Sequence, residues 1–510
     1  YFGYENLIYT YSKILDAYQN SANKQLPTST KIYSWNLISH FAGTFTIEQT
    51  TQAATYVKNY VETNQKLPNT VPITGTNLNG EVINIQLNLP TFLKLLTTTT
   101  LKINNGKNSP TELMNYYSNP SAPKEEMHSG TMSLERYVDI AWRVEDFMER
   151  NLIAPNYSSY SQLGNYFGYE NLIYTFSKIL DSYQNSANEL PSSLLIRPWN
   201  KFSMDQVADA ATSVKNYVNN NHKLPSYVTI NGVKVGMPSF LQILTLTVLN
   251  IENGVNEPIY YEYCGPASSP RDSQSTGNLS LASYLLVAQK VNAFMNDNWL
   301  APNYSSYSPL GTYFGYHNLI FTFSKVLSYY DSNNDLPSTV GVKNWIYIIL
   351  PQLENIPSSL VPYTQPTANC QSTNSAIVSL AYQLASGCNS VWEVGTKIFN
   401  WVRDNLGYSF YYNTKYGAVG TLNKMSGNCV DTAHLVIALS RAIGIPARYV
   451  HGDCYFKYSG TWYGHVFAQL YINGKWYYAD GTSYSNTLGH IVNWDLSSFK
   501  YKATYRELPF

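Results

Sequence analysis

Three residues near the carboxyl end are of the kinds that attack a carbonyl: Cys429, His465 and Asp480. Cysteine attacks as a thiolate, and a helix N-terminus stabilises that anion through its free N–H groups and dipole. Ser426-Gly427-Asn428-Cys429-Val430-Asp431-Thr432-Ala433-His434-Leu435 opens such a helix. Asn428 is the expected N-cap, with Asp431 reaching back in capping-box fashion and Gly444 and Pro446 as the stop. The commonest fate of a free cysteine is a small buried apolar side chain. A cysteine in the first turn after a Gly-Asn break is a rarer core position.

The imidazole and the carboxylate come from one hairpin. Tyr463 to Ile472 and Lys475 to Thr482 flank Asn473-Gly474, the strongest short hairpin signal. A two-residue loop pairs Ile472 with Lys475, which sets His465 opposite Thr482 and Phe467 opposite Asp480. His465 and Asp480 are then diagonal neighbours on one face, about 7–8 Å apart at the backbone and within side-chain reach. A histidine held by a carboxylate keeps the tautomer that lets its other nitrogen take a thiol proton. His434, five residues along the nucleophile helix, is expected to point elsewhere. His451 is expected to end a strand, the sequence does not explain Asp453 and Cys454 near it, and no Cys or His cluster has zinc-like spacing.

These residues closely resemble the transglutaminase-like cysteine peptidase core over about 367–510. The resemblance rests on Gly427-Asn428-Cys429-Val430-Asp431, Gly444-Ile445-Pro446-Ala447-Arg448-Tyr449-Val450, His465 with its strand, and Trp476 to Asp480-Gly481-Thr482. It implies Cys429 as nucleophile, His465 as general base and acid, and Asp480 as its orienter. It also implies an oxyanion site made of the Cys429 N–H and an upstream donor, for which Tyr412 and Asn413 are candidates by position. A divalent cation, calcium, is a further implication of the family.

The front of the chain repeats. Tyr-Phe-Gly-Tyr-Glu-Asn-Leu-Ile-Tyr-Thr begins at Tyr1, recurs from Tyr166 and returns at Tyr313 with His317 for Glu, at offsets of 165 and 147 residues. Ala154-Pro155-Asn156-Tyr157-Ser158-Ser159-Tyr160-Ser161 precedes the second copy, and its counterpart from Ala301 precedes the third. The first copy lacks it, so the chain is expected to start inside a repeat. Leu172, Ile173, Phe176, Ile179 and Leu180 form one helical stripe, as do Val138, Ala141, Val144 and Phe147. Val57 and Val61 before Leu67-Pro68, and Val214 and Val218 before Leu224-Pro225, mark two more helices. Asn231-Gly232 predicts a tight hairpin before a helix carrying Phe240, Leu241, Leu244 and Val248.

These helix, Leu-Pro, extended segment, helix units resemble the pseudomurein-binding repeats of methanogen surface proteins and of lytic enzymes of their viruses, over roughly 1–346. The expected fold is multidomain: mostly α-helical repeat modules with short hairpins, followed by an α+β transglutaminase/papain-like domain. The expected boundaries are a partial repeat at 1–45, modules at 46–130, 131–200, 201–270 and 271–349, a proline-punctuated linker at 350–366, and the peptidase-like domain at 367–510. Wall-contact candidates are the duplicated loop residues Asn156, Tyr157, Tyr160, Asn303, Tyr304 and Tyr307, with Tyr169 and Tyr316.

Composition agrees with a surface protein. Only 13% of residues are charged and the formal net charge is zero, which leaves no basic field for nucleic acid. The 46 tyrosines lie among Asn, Ser and Thr and can stack on sugar rings while bonding hydroxyls. No apolar run is long enough to span a bilayer. Five cysteines leave four beyond Cys429, able to form two disulfides, one or none, with Cys370 and Cys388 the expected pair and Cys264 and Cys454 open. Low charge and the triplets at Asn156 and Asn278 point to an extracellular or cell-surface location. Repeats and triad together resemble the pseudomurein endoisopeptidases, which implies hydrolysis of isopeptide cross-links in an archaeal wall. The alternatives are a wall adhesin with an idle triad and a cross-linking acyltransferase.

Overall fold

The computed structural model describes residues 3–510 except 22, 31, 33–42, 78–79 and 114. The opening Tyr1-Phe2 and the stretch 33–42 of the expected partial repeat lie outside the described residues. The chain divides into two compact units. One comprises 1–202 with 258–263, the other 203–257 with 264–510.

In the first unit, α1 (Tyr4–Asn20) keeps most of its apolar side chains exposed. Then follow α2 (Ile47–Asn64), the hairpin β1 (Thr70–Asn77) and β2 (Val82–Asn88), α3 (Leu89–Asn104), α4 (Leu134–Asn151) and α5 (Tyr169–Asn185). The hydroxyl of Thr46 and the amide of Gln49 cap each other reciprocally to start α2, and Pro90 sits in the first turn of α3, where a missing N–H costs nothing. One buried cluster draws Val57 and Val61 from α2, Phe92 and Leu96 from α3, Tyr137 and Val144 from α4, and Leu172, Ile173 and Phe176 from α5. The apolar stripes read from the sequence meet in this core except at Phe147, which is 40% exposed. A single core runs through both 46–130 and 131–200.

The second unit opens with the same plan. Helix α6 (Met204–Asn221) carries a Ser203–Gln206 capping box. It leads to the hairpin β3 (Tyr227–Ile230) and β4 (Val233–Gly236), then α7 (Met237–Glu252), α8 (Leu281–Asn298) and α9 (Tyr316–Asn333). Asn231 and Gly232 adopt φ of 47° and 81°, the left-handed pair that the tight turn requires. A short helix α10 (Trp345–Ile349) follows, and Ile346, Leu350 and Leu353 already belong to the core of the carboxy-terminal domain.

That domain contains α11 (Ser375–Ala385), α12 (Val391–Asn405), α13 (Gly417–Lys424) and α14 (Cys429–Ala442), then β5 (Ala447–Phe456), β6 (Thr461–Ile472), β7 (Lys475–Ala479) and β8 (Lys500–Tyr505). The four strands form an antiparallel sheet in the order β7-β6-β5-β8. Helix α14 is buried along nearly its whole length, with Leu435, Val436, Ile437 and Leu439 in the core beside Val466, Ala468 and Leu470 of β6. Its stop lies at Gly444, at φ 89°, where a Cβ would come within 2.4 Å of the Leu353 carbonyl oxygen. Among the described residues no helix is long and apolar enough to cross a membrane.

Three expectations change here. The strand carrying His451 runs on to Phe456, with an irregularity at His451/Gly452 where β8 pairs with it. Cys370 and Cys388 are both free and buried. The Cys370 thiol engages Tyr449 and Arg441, while the Cys388 thiol lies against the Leu384 carbonyl at 3.6 Å, so each sulfur has its own surroundings. Asp431 does not reach back to close a capping box on Asn428. Asn428 does cap the helix, its side-chain oxygen accepting the Asp431 N–H at 2.9 Å, but the Asp431 carboxylate turns toward the loop at 411–417.

Candidate active site

The register that the Asn-Gly turn sets is the observed one. Ile472 pairs with Lys475, and the pairing holds out to Ala468 with Ala479. One residue beyond the last pair, Asp480 accepts from His465, with Nε2 to Oδ2 at 2.9 Å. The other ring nitrogen is left for the far side, where Cys429 lines the same cleft and the thiol and imidazole feel each other's charge. The structure thus brings together the three residues expected to work together.

Burial at this centre is deep. His465 and Asp480 are 4% and 1% exposed, whereas Cys429 is half-buried and opens onto the surface. Burial alone raises the Cys429 thiol, yet the nearness and charge of His465 and the Val466 N–H outweigh it and hold the thiol below its ordinary value. Burial likewise lowers the His465 imidazole. The Asp480 charge and hydrogen bond and the thiol partner overcome that and raise it to about 10. Asp480 itself is held below the carboxylate range, because His465, Thr482 and Trp494 outweigh its desolvation. Both shifts run in the direction that favours thiolate with imidazolium.

Asp480 has more partners than the sequence disclosed. The Trp494 indole donates to Oδ2 at 2.7 Å, and the Thr482 N–H and hydroxyl donate to Oδ1 at 3.1 and 2.7 Å. The Asn486 amide donates to the Asp480 carbonyl at 3.0 Å, while its own oxygen receives the Val492 N–H. Rings of Phe456, Phe467 and Trp494 surround the imidazole, Phe456 edge-on at 5.2 Å. Trp494 is fully buried and lies 14 residues from Asp480 in sequence, and no local pattern announces it.

The opposite wall is a loop tied to the nucleophile helix. The Asp431 carboxylate accepts the N–H groups of Lys415, Tyr416 and Gly417 and the Tyr411 hydroxyl, the last at 2.6 Å. Asn428 donates to the carbonyls of Tyr411 and Asn413, both at 2.9 Å. Tyr412 lies 82% in solvent, and Asn413 stands at φ 60°. Both line the open cleft of about 970 Å³ that contains Cys429 and His465, along with Tyr408, Phe410, Phe456, Tyr458 and Tyr463. Tyr408, which sequence reasoning did not single out, feels the charge of Cys429. The Cys429 N–H belongs to the first helical turn, where N–H groups have no partner inside the helix.

The remaining histidines have their own places. His434 is buried, with Nδ1 to the Tyr449 hydroxyl at 2.7 Å and Nε2 to Thr414 at 2.9 Å. His451 lines the cleft. Asp453 pairs with Lys502, and Cys454 packs with Phe467 and Trp494. Among the described residues no three His, Cys, Asp or Glu side chains converge as a metal cluster, so no carboxylate set for the calcium implied by resemblance is found among them.

The wall-contact candidates fall into two groups. Asn156 and Asn303 accept the N–H groups of Ala122 and Ser269 at 2.8 and 2.7 Å, and Tyr157 and Tyr304 lie edge-on to Tyr166 and Tyr313. Tyr160 sits beneath Arg143 at 3.7 Å and Tyr307 beneath Lys290 at 5.4 Å. Tyr169 and Tyr316 are buried and line cavities.

Comparison with known proteins bears on both halves. Residues 378–481 match the transglutaminase-like superfamily, and residues 200–230 match the pseudomurein-binding repeat. Among solved structures, a provisionally named cysteine protease of Cytophaga hutchinsonii aligns at 29% identity over 30% of this chain and 50% of its own, with a TM-score of 0.26. A transglutaminase aligns at 16% identity over 30% of this chain and 43% of its own, and a provisionally named protease of Parabacteroides distasonis at 16% over 30% of each; both TM-scores are 0.19. The alignment thus takes in about half the length of the first of these, and no protein of curated function matches. The chain carries a pseudomurein-binding repeat with a transglutaminase-like domain after it.

Proposed function

We propose that this protein is a wall-binding cysteine peptidase that hydrolyses isopeptide cross-links of pseudomurein, with Cys429 as nucleophile, His465 as acid and base, and Asp480 as orienter. The observation that carries the reading is Cys429 at a helix N-terminus in an open cleft, electrostatically coupled to a His465 that is hydrogen-bonded to Asp480, on a chain that also bears a pseudomurein-binding repeat.

The Cys429 thiolate adds to the isopeptide carbonyl carbon, and the electron pair moves to oxygen. The Cys429 N–H meets that oxyanion, and the Tyr408 hydroxyl is the proposed second donor in preference to the solvent-facing Tyr412. As the C–N bond breaks, His465 gives its proton to the departing lysine amine. The neutral imidazole then takes a proton from water, whose oxygen attacks the thioester; collapse breaks the C–S bond, freeing the acid and the Cys429 thiolate beside the now protonated His465. Asp480 keeps Nε2 engaged throughout. The openness of the cleft supports water, rather than a second amine, as the acceptor.

Isolated pseudomurein incubated with wild type and with Cys429→Ala tests this through turbidity and released amines. Wild type is expected to clear the suspension, and Cys429→Ala to sediment with the walls without clearing them. Clearing by the alanine variant would overturn the reading. Incorporation of an added amine in place of hydrolysis would favour the acyltransferase.

A further inference from the structure

One pocket occurs twice in the array, at positions 147 residues apart. In the first unit a cavity of about 560 Å³ is lined by Glu125, Tyr169, Asn171, Trp199, Tyr261 and Tyr263. In the second unit a cavity of about 590 Å³ has Asp272 where the first has Glu125, Tyr316 where it has Tyr169, and Trp345 in place of Trp199. The carboxylate accepts from the same two elements in each. The Gly168 N–H donates to Glu125 at 3.0 Å with Asn171 beside it; for Asp272 the donors are the Gly315 N–H and Asn318 Nδ2, the latter at 2.9 Å. Gly168 and Gly315 permit this approach, since a Cβ on either would come within 2.6 Å of a neighbouring oxygen.

Helix capping accounts for part of the pattern, because α5 and α9 both begin at a glycine with no side-chain cap. It does not account for what faces the first cavity unused. Asn171 is 4% exposed and its Oδ1 has no partner; Tyr169 is 6% exposed and its hydroxyl has none either. The Asn318 Oδ1 is orphaned in the same way behind Asp272. Unpaired buried polar atoms are costly, and the two on Asn171 and Tyr169, beside a cavity of small-ligand size, call for an occupant, with the orphaned Asn318 oxygen at the equivalent sequence position behind the second cavity's Asp272.

The occupant must bring donors to a carboxylate and an amide oxygen and a flat apolar face to Trp and Tyr rings. A cation would meet that description in one pocket, but the charges differ between the two. Glu125, Glu170 and Lys124 leave the first negative, while Arg271 and Lys223 outweigh Asp272 in the second. What the pockets share is aromatic walls and acceptors, without a common net charge. A pyranose ring has both required sides, hydroxyls at its edge and C–H groups on its face.

We propose that the Glu125 and Asp272 pockets each bind a pyranose ring of the wall glycan, so that the array reads the sugar strand while the carboxy-terminal domain works on the peptide. This deepens the wall-binding reading and rests on it. The second pocket is closed by Tyr382 and the 385–389 segment that follows α11, and the Ser386 hydroxyl donates to the Pro270 carbonyl at 2.9 Å. A ring held there lies against the domain that carries Cys429.

The test uses the full chain with Cys429→Ala, titrated with pseudomurein glycan strands freed of peptide and, separately, with the released peptides, following tryptophan fluorescence. Glycan is expected to change the emission and peptide to leave it unchanged. Tyr169→Phe deletes a hydroxyl that bonds nothing in the protein, so its melting temperature should match the parent. Its glycan affinity should fall about five- to tenfold, and that of Asp272→Asn by a similar factor. Peptide binding in place of glycan, or unchanged glycan affinity in Tyr169→Phe together with Asp272→Asn, would overturn the proposal. Failure of the peptidase reading would appear elsewhere, as isopeptide hydrolysis by Cys429→Ala, and would not move these titrations.

Discussion

Asp480 in the carboxy-terminal domain is fully buried, while Asp272 in the array is half-buried and Glu125 exposed, yet it is the buried carboxylate that stays charged. Asp480 is held ionised, while desolvation of the carboxyl group pushes Glu125 and Asp272 up to about 7 against the pull of their hydrogen bonds. The donors are similar in kind, N–H groups and a side-chain amide or hydroxyl. What differs is a cation. His465 shares its proton with Asp480 at 2.9 Å, and no such charge touches Glu125 or Asp272. Dipoles alone leave a desolvated carboxylate close to neutrality, and a paired positive charge keeps it ionised.

Breaking the pair at Asp480 should have the largest effect. Asp480→Asn keeps the shape and removes the charge, so hydrolysis should fall about a thousandfold or more while wall sedimentation persists. A turnover rate within tenfold of wild type would show that the carboxylate is not needed to hold the imidazolium.

Trp494→Phe is the milder intervention, since it removes one donor to Oδ2 and keeps a ring in the cluster. A roughly tenfold loss of kcat is expected. With one donor gone the carboxylate becomes a better proton acceptor and still faces His465, so the loss should appear as a change in the pH profile more than in KM.

The pH profile itself sharpens the contrast. On the proposed reading thiolate with imidazolium is the working pair, so activity should rise with pH as the Cys429 thiol, held below its ordinary value, loses its proton. It should fall as His465 loses its proton near 10. A single rise near the ordinary histidine value with no alkaline fall would break the reading.

The smallest effect belongs to the array. A carboxyl whose pKa is raised on folding stabilises below its unfolded value and loses that contribution as pH rises through the folded one. Glu125→Gln should therefore melt slightly above wild type at pH 8, by about 1 °C or less because solvent screens this exposed side chain, and the gap should close toward pH 5 as Glu125 is protonated. An advantage that grew on acidification would contradict the assignment.

How much of this was legible in the sequence follows from the range of each interaction. Asn473-Gly474 fixes a register, and the register delivers His465 to Asp480, so that pair could be read directly. Helical stripes such as Leu172, Ile173 and Phe176 announced buried faces. They could not name what each face meets, which is why one core spanning 46–130 and 131–200 emerges only in three dimensions. Trp494 and Tyr408 reach the site from loops and a short strand without periodicity. Asp431 had the right spacing for a capping box, but a cluster of backbone N–H groups at 415–417 offered its carboxylate more than one amide could. The paired thiols of Cys370 and Cys388 suggested themselves through sequence proximity, which says nothing of where two sulfurs point.

Asp431 is also where the cleft gains its stiffness. Four donors from the rim converge on a side chain rooted two residues after Cys429, within the same first turn of its helix. The rim and the sulfur are consequently tied to one carboxylate, so widening the cleft would strain the turn that carries Cys429. On the proposed reading, bulky or branched wall segments should be cut more slowly than slim ones.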